Sequence, residues 1–284
     1  MKKMNLSDYE GAVARLQKHF GDAPTMCITT GTSGPRFEAE NKPLEFNKFL
    51  ALPFGNAYIH MADGHAGKID VIEIAGKNVC VLQGRLHFYQ GYTIEQVVFL
   101  SRVMVLWGCK KFLCTNASGT LSESKKVGKI VNVTDHVLHG SLPNPMIGIR
   151  DKELGKLFTS MYKPYGLAPT IEKVMMNLDQ DVELKKMVVI SGVYHAIAGP
   201  SFESLAEASD YKTKADLAGM STIPEVIAWR SMNITDIGVL ALVTNNTPVV
   251  GQGSLVTHED NTAVAEKAAP YLRLLITEIV KVVA

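Results

Sequence analysis

Arg85, His87 and Tyr89 stand at every second position of the stretch Val81-Leu82-Gln83-Gly84-Arg85-Leu86-His87-Phe88-Tyr89-Gln90-Gly91-Tyr92. On an extended backbone they share one side, and Leu86 and Phe88 face the other. A guanidinium, an imidazole and a phenol on one edge can hold an oxyanion and a hydroxyl-rich neighbour. Arginine forks onto phosphate or carboxylate, while the other two each donate one hydrogen bond. A half-exposed strand end with three unrelated solvent contacts shows the same alternation, so these residues alone leave both readings open.

Other polar clusters lie along the chain. Thr30-Gly31-Thr32-Ser33-Gly34-Pro35-Arg36 is a glycine- and hydroxyl-rich turn able to aim donors at an anion, or a plain loop. His65 sits between glycines in Gly64-His65-Ala66-Gly67, either near a ligand or in a solvated turn. Asn116-Ala117-Ser118-Gly119-Thr120, Ala198-Gly199-Pro200-Ser201-Phe202-Glu203-Ser204, Ala218-Gly219-Met220-Ser221 and Asn245-Asn246-Thr247-Pro248 complete the set. No Gly-x-x-x-x-Gly-Lys-Ser/Thr loop, Gly-x-Gly-x-x-Gly turn or Gly-x-Ser-x-Gly elbow occurs. The histidines lack zinc spacing, and no metal site is expected.

The elements that must position these clusters can be read in order. Ser7 and Glu10 form a capping box for a helix to about Phe20, and Thr25 to Thr29 is a short buried strand. Lys68 to Ile74 and Val79 to Gln83 make a hairpin that leads into the Arg85 stretch. Thr93 and Gln96 box a helix to about Trp107, followed by a strand from Phe112 to Thr115. Strands are expected at Lys129 to Thr134, Met187 to Tyr194 and Ile234 to Thr244. Helices are expected at Asp151 to Met161, Pro169 to Asp181, Leu205 to Lys214 and Glu259 to Val282. Thr222-Ile223-Pro224-Glu225 carries a capping box and an early-turn proline, marking one more helix start. Strands alternating with helices predict an α/β fold in one domain over residues 1–284. The clusters at Thr32, Asn116, Glu203, Ser221 and Asn245 each follow an expected strand, and the crevice beyond strand carboxyl ends is where such sheets bind ligands.

Composition narrows the partners. Lys plus Arg number 29 against 28 for Asp plus Glu, which excludes the broad basic footprint of a nucleic-acid binder. No apolar run reaches the roughly eighteen residues of a membrane span, and Met1-Lys2-Lys3-Met4-Asn5 leads directly into a helical pattern. A soluble, cytoplasmic protein without a membrane partner is expected. Cys27, Cys80, Cys109 and Cys114 lie in or beside apolar runs and read as reduced core thiols.

Five blocks, in this order, carry a resemblance. They are Gly64 to Gly67, Gln83 to Tyr92, Thr115-Asn116-Ala117, Ala198 to Ser204, and Gly219-Met220-Ser221-Thr222-Ile223-Pro224-Glu225-Val226. Together they resemble the low-molecular-mass, trimeric purine nucleoside phosphorylases, from about Met26 to His258. The methylthioadenosine phosphorylases are the neighbouring branch. The resemblance implies a central mixed, partly barrel-like sheet surrounded by helices, a homotrimer, and reversible phosphorolysis of 6-oxopurine (deoxy)ribonucleosides such as inosine and guanosine. Inorganic phosphate is then a co-substrate, and no cofactor is needed. A non-catalytic nucleoside-binding homologue is the other alternative, because fold does not imply function.

Carried over residue by residue, the resemblance assigns phosphate to Arg85, His87, Ser221, the Asn116-Ala117 segment, Thr32 and Ser33, with His65 at the phosphate entrance. It places Tyr89 and Met220 at the ribose, Gly219 in the nucleoside site, His258 at the five-prime hydroxyl and Phe202 against the purine. Glu203 would accept protons from the pyrimidine edge, and Asn245 would hydrogen-bond ring nitrogen seven and the six-keto oxygen. Asn245, Glu203 and His87 are then the catalytic group. Phe158 matches a phenylalanine that reaches into a neighbouring subunit's ribose site, against the alternative of a buried anchor on its own helix. For four of the others a plainer reading stands beside the implied one: core packing for Met220 and Phe202, a first-turn glutamate for Glu203, a turn residue for Asn245. The chain departs from the family pattern in the Gly31-to-Pro35 loop, where Pro35 lacks an amide donor. It departs also at Ser118, in place of a common alanine, and at Asn246, where many relatives carry lysine.

Overall fold

The computed structural model describes residues 4–31, 34–37, 42–51, 53–55, 59–62, 64–178, 181–251 and 258–284, the side chains of His258 and Glu259 excepted. The first helix, α1 (Leu6–Phe20), is capped by Asn5, whose side chain accepts from the Asp8 amide while the Asp8 carboxylate takes the Asn5 N–H. The capping box expected at Ser7 and Glu10 therefore forms two residues earlier. Ser7 instead donates its hydroxyl to Asn5.

Five strands form an open half of the sheet: β1 (Met26–Thr30), β2 (Leu44–Glu45), β3 (Lys68–Ile74), β4 (Lys77–Gln83) and β5 (Lys111–Thr120). Every residue of β1 is buried, as a parallel strand covered on both faces requires. It lies parallel to β4 on one side and to β5 on the other, and β3 pairs antiparallel with β4 as the expected hairpin. The remaining strands are β6 (Ile130–Leu138), β7 (Val188–Ala196), β8 (Leu217–Gly219) and β9 (Asp236–Asn246). Order β5-β8-β7-β6-β9 closes on itself because β9 pairs with both β6 and β5. The result is a mixed sheet whose second half is a five-stranded barrel. β5 belongs to both halves: Lys111 to Cys114 pair with β1, and Gly119 and Thr120 pair with β8.

Helices cover the two faces. On one side α1 packs with α2 (Phe46–Leu50), α3 (Ile94–Val97), α4 (Phe99–Trp107) and α8 (Ile223–Ser231), burying Leu16, Phe99 and Trp229. Trp229 stacks on Phe112 at 4.5 Å and gives its indole N–H to the Ser101 carbonyl, so its one polar atom is satisfied in the core. On the other side α5 (Ala168–Met176), α6 (Val182–Met187) and α9 (His258–Val283) bury Ile171, Leu184, Leu272 and Ile276. A fully buried aliphatic or aromatic side chain of this kind is worth about 1.5–3 kcal/mol. Last, α7 (Leu205–Lys212) follows a Ser204–Glu207 capping box.

Several expectations are corrected. The single helix from Thr93 to Trp107 is two, broken at Val98, although the Thr93–Gln96 box forms. Asp151 to Met161 is not a helix: only Lys152–Leu154 makes a 3-10 turn, ended by Gly155. Gly155 has φ +143°, and a Cβ there would lie 2.5 Å from Ser231 Oγ. The four cysteines are buried free thiols. Among the described residues no helix is long and apolar enough to cross a membrane.

Candidate active site

A cavity of about 300 Å³ opens where β4, β5, β8 and β9 end or pass. The Arg85 stretch enters it from β4, but not as a strand. β4 stops at Gln83, Arg85 and His87 continue in extended coil, and Phe88–Gln90 turns as a 3-10 segment. Arg85, His87 and Tyr89 still line the cavity together, with Tyr89 stacked on His87 at 4.8 Å, while Leu86 is buried in the core.

Arg85 is nearly enclosed, at 4 % exposure. Its Nη1 donates to the Thr115 carbonyl at 2.9 Å and its Nη2 reaches the Thr29 carbonyl at 3.5 Å, which leaves one N–H on each nitrogen for an anion. Its Nε lies 3.0 Å from Glu225 Oε2. Burial raises the Glu225 carboxyl above its ordinary value, with the permanently charged Arg85 guanidinium opposing that rise. A buried pair of this kind fixes orientation more than it adds stability.

His87 is also enclosed. Burial, then the neighbouring His65 and Arg85, hold its imidazole well below the ordinary histidine value, so the ring is neutral near pH 7. His65 lies against it at 5.2 Å between ring centroids.

The opposite wall comes from β8, α7 and their flanks. Gly219 ends β8, and Met220 and Ser221 follow it into the cavity wall. Gly219 is required there, since a Cβ would stand 2.0 Å from Tyr194 Oη. Thr222 takes φ +70° and ψ −48°, and the Ile223 N–H returns to the Ser221 carbonyl at 2.8 Å. This is a γ-turn of the rare, strained hand. The expected Thr222–Glu225 capping box does not form, because the Thr222 hydroxyl accepts from Asn116 Nδ2 at 3.0 Å and Glu225 serves Arg85.

Phe202 and Glu203 stand just before α7 and line the same cavity. Glu203 is buried, and burial raises its carboxyl above the ordinary value. Asn245 comes from a β-bulge: the β5 and β9 register shifts between Ser118 and Gly119, so Gly119 faces Asn245 and Thr244 is the extra residue. Such a bulge re-aims a side chain. The Thr244 hydroxyl lies 3.2 Å from Asn245 Oδ1, while Asn245 Nδ2 gives one N–H to the Asn246 carbonyl at 3.4 Å and keeps its second N–H as the outward donor.

The cavity thus gathers His65, Arg85, His87, Tyr89, Ala117, Phe202, Glu203, Gly219, Met220, Ser221 and Asn245. Asn116 is not among its lining residues. Its side chain is buried and gives an Nδ2 hydrogen to Thr222, whereas its neighbour Ala117 lines the cavity. Phe158 is elsewhere, fully exposed at φ +57°, so the alternative of a buried helix anchor is overturned. Thr32 and Ser33 lie outside the described residues, and so does the His258 side chain, though its backbone begins α9.

Two residues were missed by sequence reasoning. Glu225 was taken for a helix cap. Asn261 lines the cavity with a buried Oδ1 that has no hydrogen-bond partner. It stands three residues after His258 on the same helix. Among the described residues no cluster of His, Cys, Asp and Glu could hold a metal ion.

A barrel-bearing mixed sheet with an arginine-centred anion pocket joined to an aromatic and carboxylate pocket defines a class. The chain belongs to the phosphorylase superfamily, whose family pattern matches residues 25–281. Within it the chain is an enzyme, a pentosyltransferase of the purine nucleoside phosphorylase kind. It is 30 % identical over 277 residues to purine nucleoside phosphorylase 1 of Geobacillus stearothermophilus, covering 96 % of each chain. It is similar to the crystal structure of Schistosoma mansoni purine nucleoside phosphorylase in complex with inosine, at TM-score 0.82 and 25 % identity, covering 99 % of this chain and 98 % of that one. A structure of the Schistosoma mansoni enzyme in complex with adenosine matches at TM-score 0.83 and 26 % identity, with the same coverage.

Proposed function

We propose that the cavity carries out reversible phosphorolysis of 6-oxopurine ribonucleosides and 2′-deoxyribonucleosides, such as inosine and guanosine, giving the free base and the pentose 1-phosphate. The observation that carries this reading is that the anion-type donors Arg85 and Ser221 line the same 300 Å³ cavity as Phe202, Glu203 and Asn245. Phosphate on Arg85, His87, Ser221 and the Ala117 amide attacks the anomeric carbon as the glycosidic bond breaks. Positive charge develops on the ribose, facing the anion, and negative charge on the departing purine, facing Asn245. Groups aimed at charge that appears only in the transition state raise turnover rather than ground-state affinity. The chemistry calls for no cofactor and no metal.

Asn245 carries the choice of base. Its outward Nδ2 suits ring nitrogen seven, and the amide can adapt to a keto oxygen. The test is release of hypoxanthine from inosine with and without phosphate. Phosphate-dependent release supports the reading. Phosphate-independent release indicates a hydrolase, and binding without turnover a non-catalytic homologue. Asn245→Ala is expected to lower inosine turnover on the order of 10²-fold. Asn245→Asp is expected to raise adenosine cleavage relative to inosine, and an unchanged ratio removes Asn245 from the choice. A second reading, use of adenosine by the wild type, is favoured by the Schistosoma mansoni complex with adenosine. The same assay with adenosine distinguishes it.

A further inference from the structure

Gln90 fixes which nitrogen of His87 carries a proton. Its Oε1 accepts from the His87 backbone N–H at 2.9 Å and lies 3.1 Å from His87 Nδ1, while its Nε2 donates to the His60 carbonyl at 3.0 Å. Turning the amide over would set a donor against the backbone N–H and an acceptor against the carbonyl, so the partners allow only this orientation. An acceptor facing Nδ1 requires Nδ1–H. In a neutral ring the lone pair is then on Nε2, the nitrogen that Gln90 does not hold.

The surroundings keep the ring neutral. His65 lies 5.2 Å away between centroids, and Tyr89 stacks on the ring at 4.8 Å. Arg85 adds positive charge from two residues upstream, partly offset by Glu225 on α8. Burial acts in the same direction as His65 and Arg85, and Gln90 alone opposes them.

We propose that His87, oriented by Gln90, presents an acceptor to the anion in the cavity, so that the site selects an oxyanion still carrying a proton, such as phosphate or arsenate, over one carrying none, such as sulfate. This rests on the reading that Arg85 and His87 hold the phosphate co-substrate. Hydrogen phosphate has a P–OH to give to Nε2. Sulfate near neutral pH has only lone pairs, and one of them would oppose the Nε2 lone pair. Arg85 serves both anions alike, so the discrimination falls on His87, with Gln90 as its positioning residue.

The experiment is inosine phosphorolysis at about pH 7.5 with phosphate varied and sulfate as competitor, alongside direct titration of each anion into the wild-type enzyme. Sulfate should bind at least roughly tenfold more weakly than phosphate, the effect of one lost hydrogen bond to a charged group. Sulfate competing as tightly as phosphate overturns the proposal. In Gln90→Glu the carboxylate favours the imidazolium, Nε2 becomes a donor, and the preference for phosphate over sulfate should collapse towards unity. A folded, active Gln90→Glu with the wild-type ratio also overturns it. If that variant does not fold, the wild-type comparison decides alone. Failure of phosphate itself to bind would instead remove the assignment of Arg85 and His87 to phosphate, a separate outcome from equal binding of the two anions.

Discussion

If Glu203 is to accept hydrogen bonds from a purine edge, as the proposed function has it, its carboxyl must be ionised, and its surroundings work against that. Burial raises its carboxyl, with Glu207 adding to the effect. A raised value means that the proton is retained to higher pH than in water, so activity is lost as pH falls through that raised value. The acid limb of kcat/KM for inosine is therefore expected above the ordinary carboxylate range, and Glu203→Gln should flatten it while lowering kcat/KM. An acid limb that persists unchanged in the variant assigns it to another group. The residue types of this site were legible because arginine, histidine and asparagine beside glycines are chemically conspicuous. Glu225 was not, since a glutamate three residues after a threonine has the form of a cap. Its ion pair with Arg85 joins residues 140 apart in sequence, and no local pattern shows such a contact.

At the scale of elements, the strained γ-turn at Thr222 sets the position of Ser221. Asn116 holds it from the neighbouring strand β5, and a positive φ at a β-branched residue persists only where the surroundings over-determine it. Asn116→Ala should release the turn and raise the KM for phosphate on the order of tenfold, the scale of one hydrogen bond. Ser221→Ala in the same background should then add little, because the two act as one unit. Full additivity in that double-mutant cycle would separate Asn116 from Ser221. Most strands are legible from their apolar runs, but several run further than those runs, β5 and β6 furthest, to Thr120 and Leu138. Asn116 to Thr120 looks like a turn because its residues are small and polar, yet it continues β5 into the barrel. There Ser118 Oγ donates to the Leu242 carbonyl and Thr120 Oγ1 to the Ser122 carbonyl, so tertiary pairing prevails over local propensity. The polar residues were placed beyond the strand, whereas they line its wall.

For the molecule as a whole, Phe158 is the conspicuous exposed group. It stands with Ile147, Leu157 and Tyr162, all more than half exposed, on the segment between β6 and α5. Large apolar side chains gathered on a surface mark a contact site, and we propose a homotrimer in which Phe158 completes a neighbour's ribose pocket. Phe158→Ala should raise the KM for inosine and leave phosphate affinity nearly unchanged. Mixing and reassembling that variant with the low-turnover Asn245→Ala should raise activity at low inosine above that of either variant alone, because some sites would then combine an intact cavity with an intact Phe158. A monomer in solution, or no rescue on mixing, removes the proposal.

Closure of the barrel by β9 has a consequence for how copies of this chain behave in crowded solution. A sheet with unpaired strand edges is a template for aggregation, and the barrel half has none to offer. The open half ends at β2, which pairs only Leu44 and Glu45 with β3. Beyond them β3 carries a buried carboxylate, Asp70, bonded to Gln83 at 2.6 Å. A foreign strand that pulled β3 out of register would strand that carboxylate without its amide, so among the described residues this edge carries its own deterrent to runaway pairing.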